Sequence, residues 1–178
     1  HPRDRRQRQM CIRDSSSGKQ GYALAEEFLK LGAHVTLISG PTNINKPNVN
    51  KFIEVLSAEE MLSQVENNID CDIFISSAAV CDWKLIPYSL ENKKLSNNDK
   101  LKKNKDIFFK LETNPDIIKF VSKNKKRPTL VIGFAAETKN LIQNATKKLE
   151  EKQLDMIIAN LIEKENSIFG EEFNKIFI

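Results

Sequence analysis

Residues 129–160 read TLVIGFAAETKNLIQNATKKLEEKQLDMIIAN, and this stretch decides the fold. The run from Thr129 to Ala135 is apolar and predicts a buried strand. Leu141, Ala145 and Leu149 then recur at helical spacing, and a second short apolar run extends from Met156 to Ala159. Strand, helix and strand in this order predict two parallel strands joined by a right-handed crossover.

The rest of the chain continues the same alternation. Gly32 is a typical helix stop, and Ser57 with Glu60 forms a capping box at the start of a helix. The further predicted helices and strands are helices Gly18–Leu31, Ser57 to about Asn68 and one starting at Thr113-Asn114-Pro115, and strands His34–Ser39, Phe52–Leu56, Asp72–Ala79, Ile107–Leu111 and Lys175–Ile178. The predicted fold class is therefore α/β and Rossmann-like, with a mainly parallel sheet and helices on both faces.

One polar, lysine-rich stretch interrupts this alternation, from Val80 to Asp106. It has no sustained period, and loops of such length inside compact domains are uncommon and are usually functional or mobile. We therefore expect an irregular loop that carries functional side chains.

Composition limits the classes to which the chain can belong. Its 178 residues suit one domain, and the mean hydropathy is −0.44. No apolar run approaches the roughly 18–20 residues of a membrane helix, which excludes a transmembrane protein. The three cysteines, Cys11, Cys71 and Cys81, are an odd number spread far apart and do not form a disulfide framework or a zinc site. We expect reduced thiols and a cytoplasmic location.

The beginning of the chain differs from the rest. His1–Asp14 holds five arginines and two aspartates and so carries +3 of the net charge of +4, whereas the only arginine elsewhere is Arg127. We expect residues 1–14 to be a non-native, scar-like basic leader and residues 15–178 to be the functional domain. The alternative is a basic arm that binds nucleic acid, which is less favoured because the body lacks a matching basic face.

Several short segments follow predicted strands. Ser77 to Ala79, Gly133 to Ala136 and Asn160 stand at strand ends, which meet at one rim of a parallel sheet where such folds bind ligands. Ser15 to Gly21 leads into a helix, where main-chain N–H groups and glycines favour an anion. The Walker A and G-x-G-x-x-G spacings are absent, so an ordinary serine-capped helix is the alternative.

Five further side chains are candidates for an anion site at this rim. Lys100 lies in the lysine-rich stretch, Lys148 and Lys152 share a helix face, and Phe134 and Asp82 follow strands. Each has an ordinary alternative, namely solvated lysines, a core phenylalanine or a solvated carboxylate. Together they indicate a nucleotide or a phosphorylated substrate.

Seven short motifs occur in one order along the chain. They are S-S-G-K-Q-G from residue 16, V-T-L-I-S-G-P from 35, A-A-V-C-D-W from 78, K-L-K-K from 100, N-P-D-I from 114, G-F-A-A-E-T from 133 and K-x-x-x-K-x-L-D-x-I-x-A-N from 148. In this order they resemble phosphopantothenate–cysteine ligase, or phosphopantothenoylcysteine synthetase. The resemblance covers about Ser16 to Ile178 and is greatest to the bacterial form, which is often fused behind a flavin-dependent decarboxylase in coenzyme A biosynthesis.

The resemblance implies a ligase reaction in two steps. The carboxylate of 4'-phosphopantothenate attacks the α-phosphate of CTP, pyrophosphate leaves and an acyl-cytidylate forms. The amine of L-cysteine then attacks the activated carbonyl, which gives phosphopantothenoylcysteine and CMP. It also implies Mg²⁺ on the phosphates, a homodimer, and FMN only where a decarboxylase domain precedes the ligase. The protein must then neutralise and position two anions.

Residue roles also follow from the resemblance. Lys100 would be a flap lysine tied to catalysis, and Phe134 would lie near the cytosine. The phosphate of phosphopantothenate would be held by Ser16, Gly18 and Gly21, and the nucleotide by Ala78, Ala79, Asp82, Lys100, Asn114, Pro115, Asp116, Ile117, Phe134, Lys148 and Lys152.

The chain departs from the family pattern at three places. Asp14 stands at the asparagine of the family motif I-S-N-x-S-S-G, the arginine-rich stretch replaces the first strand, and the family continues beyond Ile178. We therefore expect a domain shortened at both ends. Two alternatives stay open. One is a dinucleotide-binding oxidoreductase domain, although Gly40-Pro41 does not provide its acidic residue. The other is an inactive nucleotide-binding remnant.

Overall fold

A computed structural model describes residues 18–91, 93–94, 107–137, 139–161 and 176–178. In chain order it contains α1 (Lys19–Lys30), β1 (Thr36–Ser39), β2 (Lys51–Glu54), α2 (Ala58–Asn67), β3 (Ile73–Ser76), β4 (Trp83–Ser89), β5 (Ile107–Thr113), α3 (Ile117–Ser122), β6 (Leu130–Glu137), α4 (Leu141–Glu151), β7 (Met156–Leu161) and β8 (Ile176–Phe177). The predicted alternation of strands and helices is confirmed.

Most of the strands pair in parallel. β1 pairs with β2, and β3, β6 and β7 follow one another in a second parallel group. β8 pairs with β7 in the antiparallel direction at the edge of that group. β4 and β5 form a separate antiparallel pair. The mainly parallel arrangement is therefore confirmed.

Helices cover both faces of the parallel strands. On one face α2, α3 and α4 bury a common core with β6 and β7, in which Val121 and Val131 are fully buried. Ile38 of β1 packs against this core, whereas its neighbour Ser39 is hydrogen-bonded to Tyr22 of α1. Because successive residues of a strand point to opposite faces, α1 lies on the other face.

The end of α1 shows why the helix stops where the sequence predicted. Gly32 adopts a left-handed φ of 87°, which a residue without Cβ adopts at little cost. Its N–H donates to Leu29 O and the Ala33 N–H donates to Phe28 O, both at 3.0 Å. These two bonds form a Schellman motif and satisfy carbonyls that the helix leaves unpaired.

The start of α2 confirms the predicted cap with one change. Ser57 Oγ accepts from the Glu60 N–H at 3.1 Å. The Glu60 carboxylate accepts from the N–H of Leu56 at 2.7 Å, one residue earlier than in the usual capping box.

The expectation of an irregular loop from Val80 to Asp106 is wrong for its first part. Trp83–Ser89 is strand β4, which pairs with β5 over its whole length. The sequence concealed it because apolar residues occupy both faces and Pro87 cannot donate to a ladder. A proline is tolerated here because, among the strands of the described ranges, β4 pairs with β5 alone. Residues 95–106 lie outside the described residues.

Three smaller expectations also need correction. Phe134 and Asn160 lie within β6 and β7 and do not follow them. Phe134 already belonged to the apolar run from Thr129 to Ala135, whereas β7 extends two residues beyond the run from Met156 to Ala159. The helix expected to start at Thr113-Asn114-Pro115 starts later, since α3 begins at Ile117 after the N-cap Asp116. Cys71 is a free thiol, but Cys81 is disulfide-bonded; an odd number of cysteines does not prevent one pair.

Within the described ranges, no helix has the length and apolar character needed to cross a membrane.

Candidate functional site

The first turn of α1 is held close to the segments that follow β1 and β3. Gly18, the N-cap, has a left-handed φ of 79°, and a Cβ there would lie 2.7 Å from Thr42 Cγ2. A Cβ on Gly21 would lie 2.8 Å from Ser77 Oγ. The left-handed backbone of Gly18 favours glycine there, whereas a side chain on Gly21 would displace the Ser77 hydroxyl. The helix start predicted to hold a phosphate therefore lies beside hydroxyl groups.

Tyr22 connects this turn to the segment after β1. Its hydroxyl is hydrogen-bonded to Ser39 Oγ at 3.1 Å and to Thr42 Oγ1 at 3.0 Å, and Ser39 Oγ also donates to Gly40 O at 2.9 Å. Sequence reasoning missed Thr42 as a site residue. The available signal was its position just after the Gly40-Pro41 break, at the end of a predicted strand.

Asn114 holds the turn between β3 and β4. Its N–H donates to Asp82 O and its side-chain amide donates to Cys81 O, both at 2.8 Å. The exposed residues Ala78, Ala79 and Asp82 belong to this turn. The side-chain amide of Asn114 thus shapes the predicted nucleotide-binding turn.

Lys148 and Lys152 are both held at the same end of α4. Lys148 Nζ donates to the main-chain oxygen of Phe134 at 2.6 Å. Lys152 Nζ lies 3.1 Å from Asp116 Oδ2, while Asp116 Oδ1 accepts from the Lys119 N–H at 3.2 Å and caps α3. Asp116 therefore stabilises a helix start and orients a lysine.

The pKa of Lys148 reflects the charged residues around it. Burial lowers the pKa of the Lys148 ammonium, and the charge of Lys152 lowers it further. The carboxylates of Glu137, Asp116 and Asp82 act against this shift. The Lys152 ammonium and the three carboxylates therefore all influence the pKa of Lys148. An added anion would relieve the repulsion between the two lysines.

Two of the predicted site residues, Ile117 and Phe134, lie in packed positions. Ile117 is buried in the main core, so only its main chain is available to a ligand. Phe134 is partly buried within β6. A Cβ on its neighbour Gly133 would lie 2.6 Å from Leu154 Cδ1, so this glycine permits close packing of the strand beneath the helices.

The structure brings most of the predicted site together. Gly21 lies against Ser77, and the Asn114 N–H donates a hydrogen bond to Asp82 O. The Asp82 carboxylate in turn raises the pKa of Lys148. Ser16 and Lys100 lie outside the described residues. The part of the chain that is described contains no group of three or more His, Cys, Asp or Glu side chains that could hold a metal.

Comparison with known proteins shows the family of the chain. The family model of the DNA/pantothenate metabolism flavoprotein C-terminal domain matches residues 9–178. The chain belongs to this family. Membership of this family confirms the resemblance found in the motifs, and it does not favour the alternative of a dinucleotide-binding oxidoreductase domain.

Curated members of the DNA/pantothenate metabolism flavoprotein family are close in sequence. The coenzyme A biosynthesis bifunctional protein CoaBC of Borreliella burgdorferi is 44% identical over 171 residues, which cover 93% of this chain and 40% of that protein. The CoaBC protein of Haemophilus influenzae is 46% identical over 151 residues, 84% of this chain and 36% of that protein. The chain thus matches less than half the length of these relatives.

A solved structure shows the same fold. The crystal structure of the C-terminal domain of a CoaBC protein is 40% identical, with a TM-score of 0.65 over 82% of this chain and 65% of that chain. The Rossmann-like fold class predicted from sequence is confirmed.

Proposed function

We propose that the chain joins 4'-phosphopantothenate to L-cysteine through an acyl-cytidylate formed from CTP. The observation that carries the proposal is the lysine pair: Lys148 and Lys152 lie at one end of α4, and Lys152 is paired with Asp116, two residues from the Asn114 whose N–H donates to Asp82 O. The chain is 44% identical to a CoaBC protein. A nucleoside triphosphate placed there would meet two ammonium groups, one of them desolvated, where electrostatic attraction is stronger than in water.

In this proposal the site binds two anions. The start of α1, with Ser16, Gly18 and Gly21, holds the phosphate of phosphopantothenate through main-chain N–H groups. The nucleotide is bound by Ala78, Ala79, Asp82, Lys100, Asn114, Pro115, Asp116, Ile117, Phe134, Lys148 and Lys152. Residues 15–178 form the ligase domain.

The chemistry follows from holding the two substrates together. A carboxylate is a poor acyl donor until one of its oxygens belongs to a phosphate leaving group. The carboxylate oxygen attacks the α-phosphorus and pyrophosphate departs. The cysteine amine then attacks the carbonyl carbon, loses a proton, and CMP leaves with the original carboxylate oxygen. The chain contributes positioning and charge neutralisation.

Magnesium would accompany the triphosphate as part of the substrate. The described residues do not fit a resident cation site, since they offer no cluster of three metal-ligating side chains, and Mg²⁺ is commonly held by phosphates with one or two carboxylates. We assign no step to it. FMN would belong to a decarboxylase domain in a longer chain, and we place no FMN here. We also propose a cytoplasmic location, because a reducing compartment preserves the thiol of L-cysteine.

Isotope transfer tests the proposed route. Phosphopantothenate labelled with ¹⁸O in its carboxylate is incubated with CTP, or with ATP, and pyrophosphate release is measured with and without L-cysteine. We expect release with CTP that needs phosphopantothenate but not cysteine, and ¹⁸O in the CMP once cysteine is added.

Each other outcome rejects part of the proposal. Pyrophosphate release without phosphopantothenate, or CMP without ¹⁸O, contradicts the acyl-cytidylate. Release with ATP alone contradicts the choice of CTP. Tight CTP binding with no release of pyrophosphate under any condition identifies an inactive nucleotide-binding remnant.

The role of Lys100 is tested separately because it rests on the K-L-K-K motif. Lys100→Gln should slow turnover far more than it weakens CTP binding. Equal losses in turnover and binding would mean that this lysine only binds the nucleotide.

We further propose that the chain forms a homodimer through the β4–β5 pair. Leu85 is opposite Leu111 and Pro87 is opposite Phe109, so they share one face of the pair. With Trp83, the exposed members of this face are 40% to 57% exposed. Exposed apolar side chains grouped on one face of a strand pair are typical of a protein interface.

Sedimentation velocity tests the homodimer. Leu111→Lys should convert a dimer to a monomer at micromolar concentration, because it would bury an unpaired charge. Leu31→Lys is the control: Leu31 is the exposed C-cap residue of α1, so this substitution should leave the dimer intact. A monomeric unmodified chain, or a dimeric Leu111→Lys variant, contradicts the proposed interface.

A further inference from the structure

Three polar side chains stand in a row along α4. Asn144, Lys148 and Lys152 are spaced four residues apart, so they lie on one side of the helix. The two lysines contact the main chain of β6 and the N-cap of α3, and Asn144 contacts Glu137, the last residue of β6. The two lysines were predicted as site residues from the sequence, whereas Asn144 and Glu137 were not.

Asn144 fixes the position of the Glu137 side chain. Its amide nitrogen donates to Glu137 Oε2 at 2.9 Å and to Lys139 O at 3.3 Å. Lys139 lies between β6 and α4, so the two bonds tie the carboxylate to the connection that follows the strand. Glu137 is thereby held at the carboxyl end of a parallel strand, which is where open α/β sheets bind their ligands.

The Glu137 carboxylate differs from that of Asp116, which is paired with Lys152. In the described part of the chain, Glu137 accepts its hydrogen bond from a neutral amide and forms no ion pair. Burial and the charge of Lys152 lower the pKa of Lys148, and among the carboxylates that raise it Glu137 acts most strongly. Glu137 therefore lies near the two lysines with a charge that no direct contact neutralises.

A carboxylate at this place is unfavourable for two of the proposed substrates. Phosphopantothenate and CTP are anions, and a negative charge beside them repels both. L-Cysteine differs from them because it carries an ammonium group as well as a carboxylate. A site with ammonium groups and one free carboxylate therefore matches the two charges of an amino acid.

We propose that Glu137, held by Asn144, binds the ammonium group of L-cysteine and accepts a proton from it. The inference rests on the proposed ligase reaction and names a further catalytic residue for its second step. Asn144 is a positioning residue, because it acts through Glu137.

The proton transfer is needed because an ammonium nitrogen has no free electron pair. Glu137 takes one proton, and the electron pair left on nitrogen forms the bond to the carbonyl carbon of the acyl-cytidylate. A second proton then leaves this nitrogen for water. The bond between the carbonyl carbon and the phosphate oxygen breaks, and CMP departs with that electron pair.

The variant Glu137→Gln tests this role, because glutamine can still accept from Asn144 but carries no charge. The full chain is mixed with phosphopantothenate and CTP at pH 7. Three rates are measured: pyrophosphate release without cysteine, amide formation with L-cysteine, and capture of the acyl-cytidylate by hydroxylamine, whose nitrogen is already neutral. We expect amide formation to fall by about a hundredfold or more and the other two rates to stay unchanged.

Two further variants separate the charge from the structure. Glu137→Asp keeps the carboxylate and should retain more amide formation than Glu137→Gln. Glu150→Gln is the matched control, because Glu150 is exposed near the end of the same helix, and it should leave all three rates unchanged. Raising the pH should restore amide formation by Glu137→Gln, since more of the cysteine amine is then neutral.

The measured rates also define the results that overturn the inference. If Glu137→Gln slows pyrophosphate release as much as amide formation, the carboxylate serves the first step, for instance by holding a cation on the triphosphate. An equal fall in capture by hydroxylamine, or unchanged amide formation, also overturns it. A lack of pyrophosphate release in the unmodified chain would contradict the ligase reaction itself, and with it this inference.

Discussion

Replacing Lys148 by methionine would separate nucleotide binding from folding. Lys148→Met removes the 2.6 Å bond to Phe134 O, and a hydrogen bond from a charged group is worth about 1.5–3 kcal/mol. It also removes a buried charge and its repulsion with Lys152, both of which lower the pKa of Lys148. These effects oppose each other, so the free energy of unfolding should fall by no more than about 1.5 kcal/mol.

The loss of binding should be larger. A phosphate oxygen about 4 Å from the Lys148 ammonium gains about 4 kcal/mol at an effective dielectric constant of about 20, which corresponds to roughly a thousandfold in affinity. The nearby carboxylates of Glu137, Asp116 and Asp82 cancel part of this attraction. We therefore expect CTP affinity to fall by between about tenfold and a thousandfold.

Titration calorimetry with CTP and urea unfolding measure the two effects. Lys147→Met is the matched control, since Lys147 is exposed on the same helix and lies 3.7 Å from Glu151; it should change neither quantity by much. Equal loss of CTP affinity in the two variants would refute the placement of the triphosphate. A loss of more than about 3 kcal/mol of stability in Lys148→Met would refute the balance of burial against hydrogen bonding.

The other predictions concern close packing and pH. Gly133→Ala should reduce the free energy of unfolding by about 1–3 kcal/mol, measured by urea unfolding, because its Cβ would lie 2.6 Å from Leu154 Cδ1; an unchanged urea midpoint would contradict this. Gly21→Ala should weaken phosphopantothenate binding, and Ser77→Ala should restore part of it by removing the hydroxyl 2.8 Å from that Cβ; purely additive effects in the double variant would argue against direct contact. Since the pKa of Lys148 is lowered from 10.5, CTP affinity should decline below that pH as pH rises, while Lys148→Arg should keep its affinity to higher pH; identical pH profiles in calorimetry would exclude Lys148 as the titrating group. Over the same range the folded chain binds fewer protons at Lys148 than the unfolded chain, so this group makes stability rise with pH.

Local patterns were sufficient for most helices and parallel strands. The helical spacing from Leu141 to Leu149 and the apolar runs on either side of it predicted β6, α4 and β7, because burial on both faces of a parallel strand selects apolar residues. Gly32 and Ser57 marked helix boundaries because their roles depend on nearby backbone geometry. Strand β4 was not predicted, because it is formed by pairing with β5, which lies well beyond it in the chain.

The candidate site also has a part that the sequence predicted and a part that only the tertiary structure shows. Helical periodicity placed Lys148 and Lys152 on one face of α4, and the motif S-S-G-K-Q-G marked the start of α1. The partners of these residues, Phe134 O and Asp116 for the lysines and Thr42 and Ser77 for the helix start, come from other elements. Short-range spacing specifies what lies along one helix, whereas the meeting of separate elements depends on how the strands are ordered and packed. For that reason a chemical role could be predicted for each residue from the sequence, whereas the residues that surround it could not.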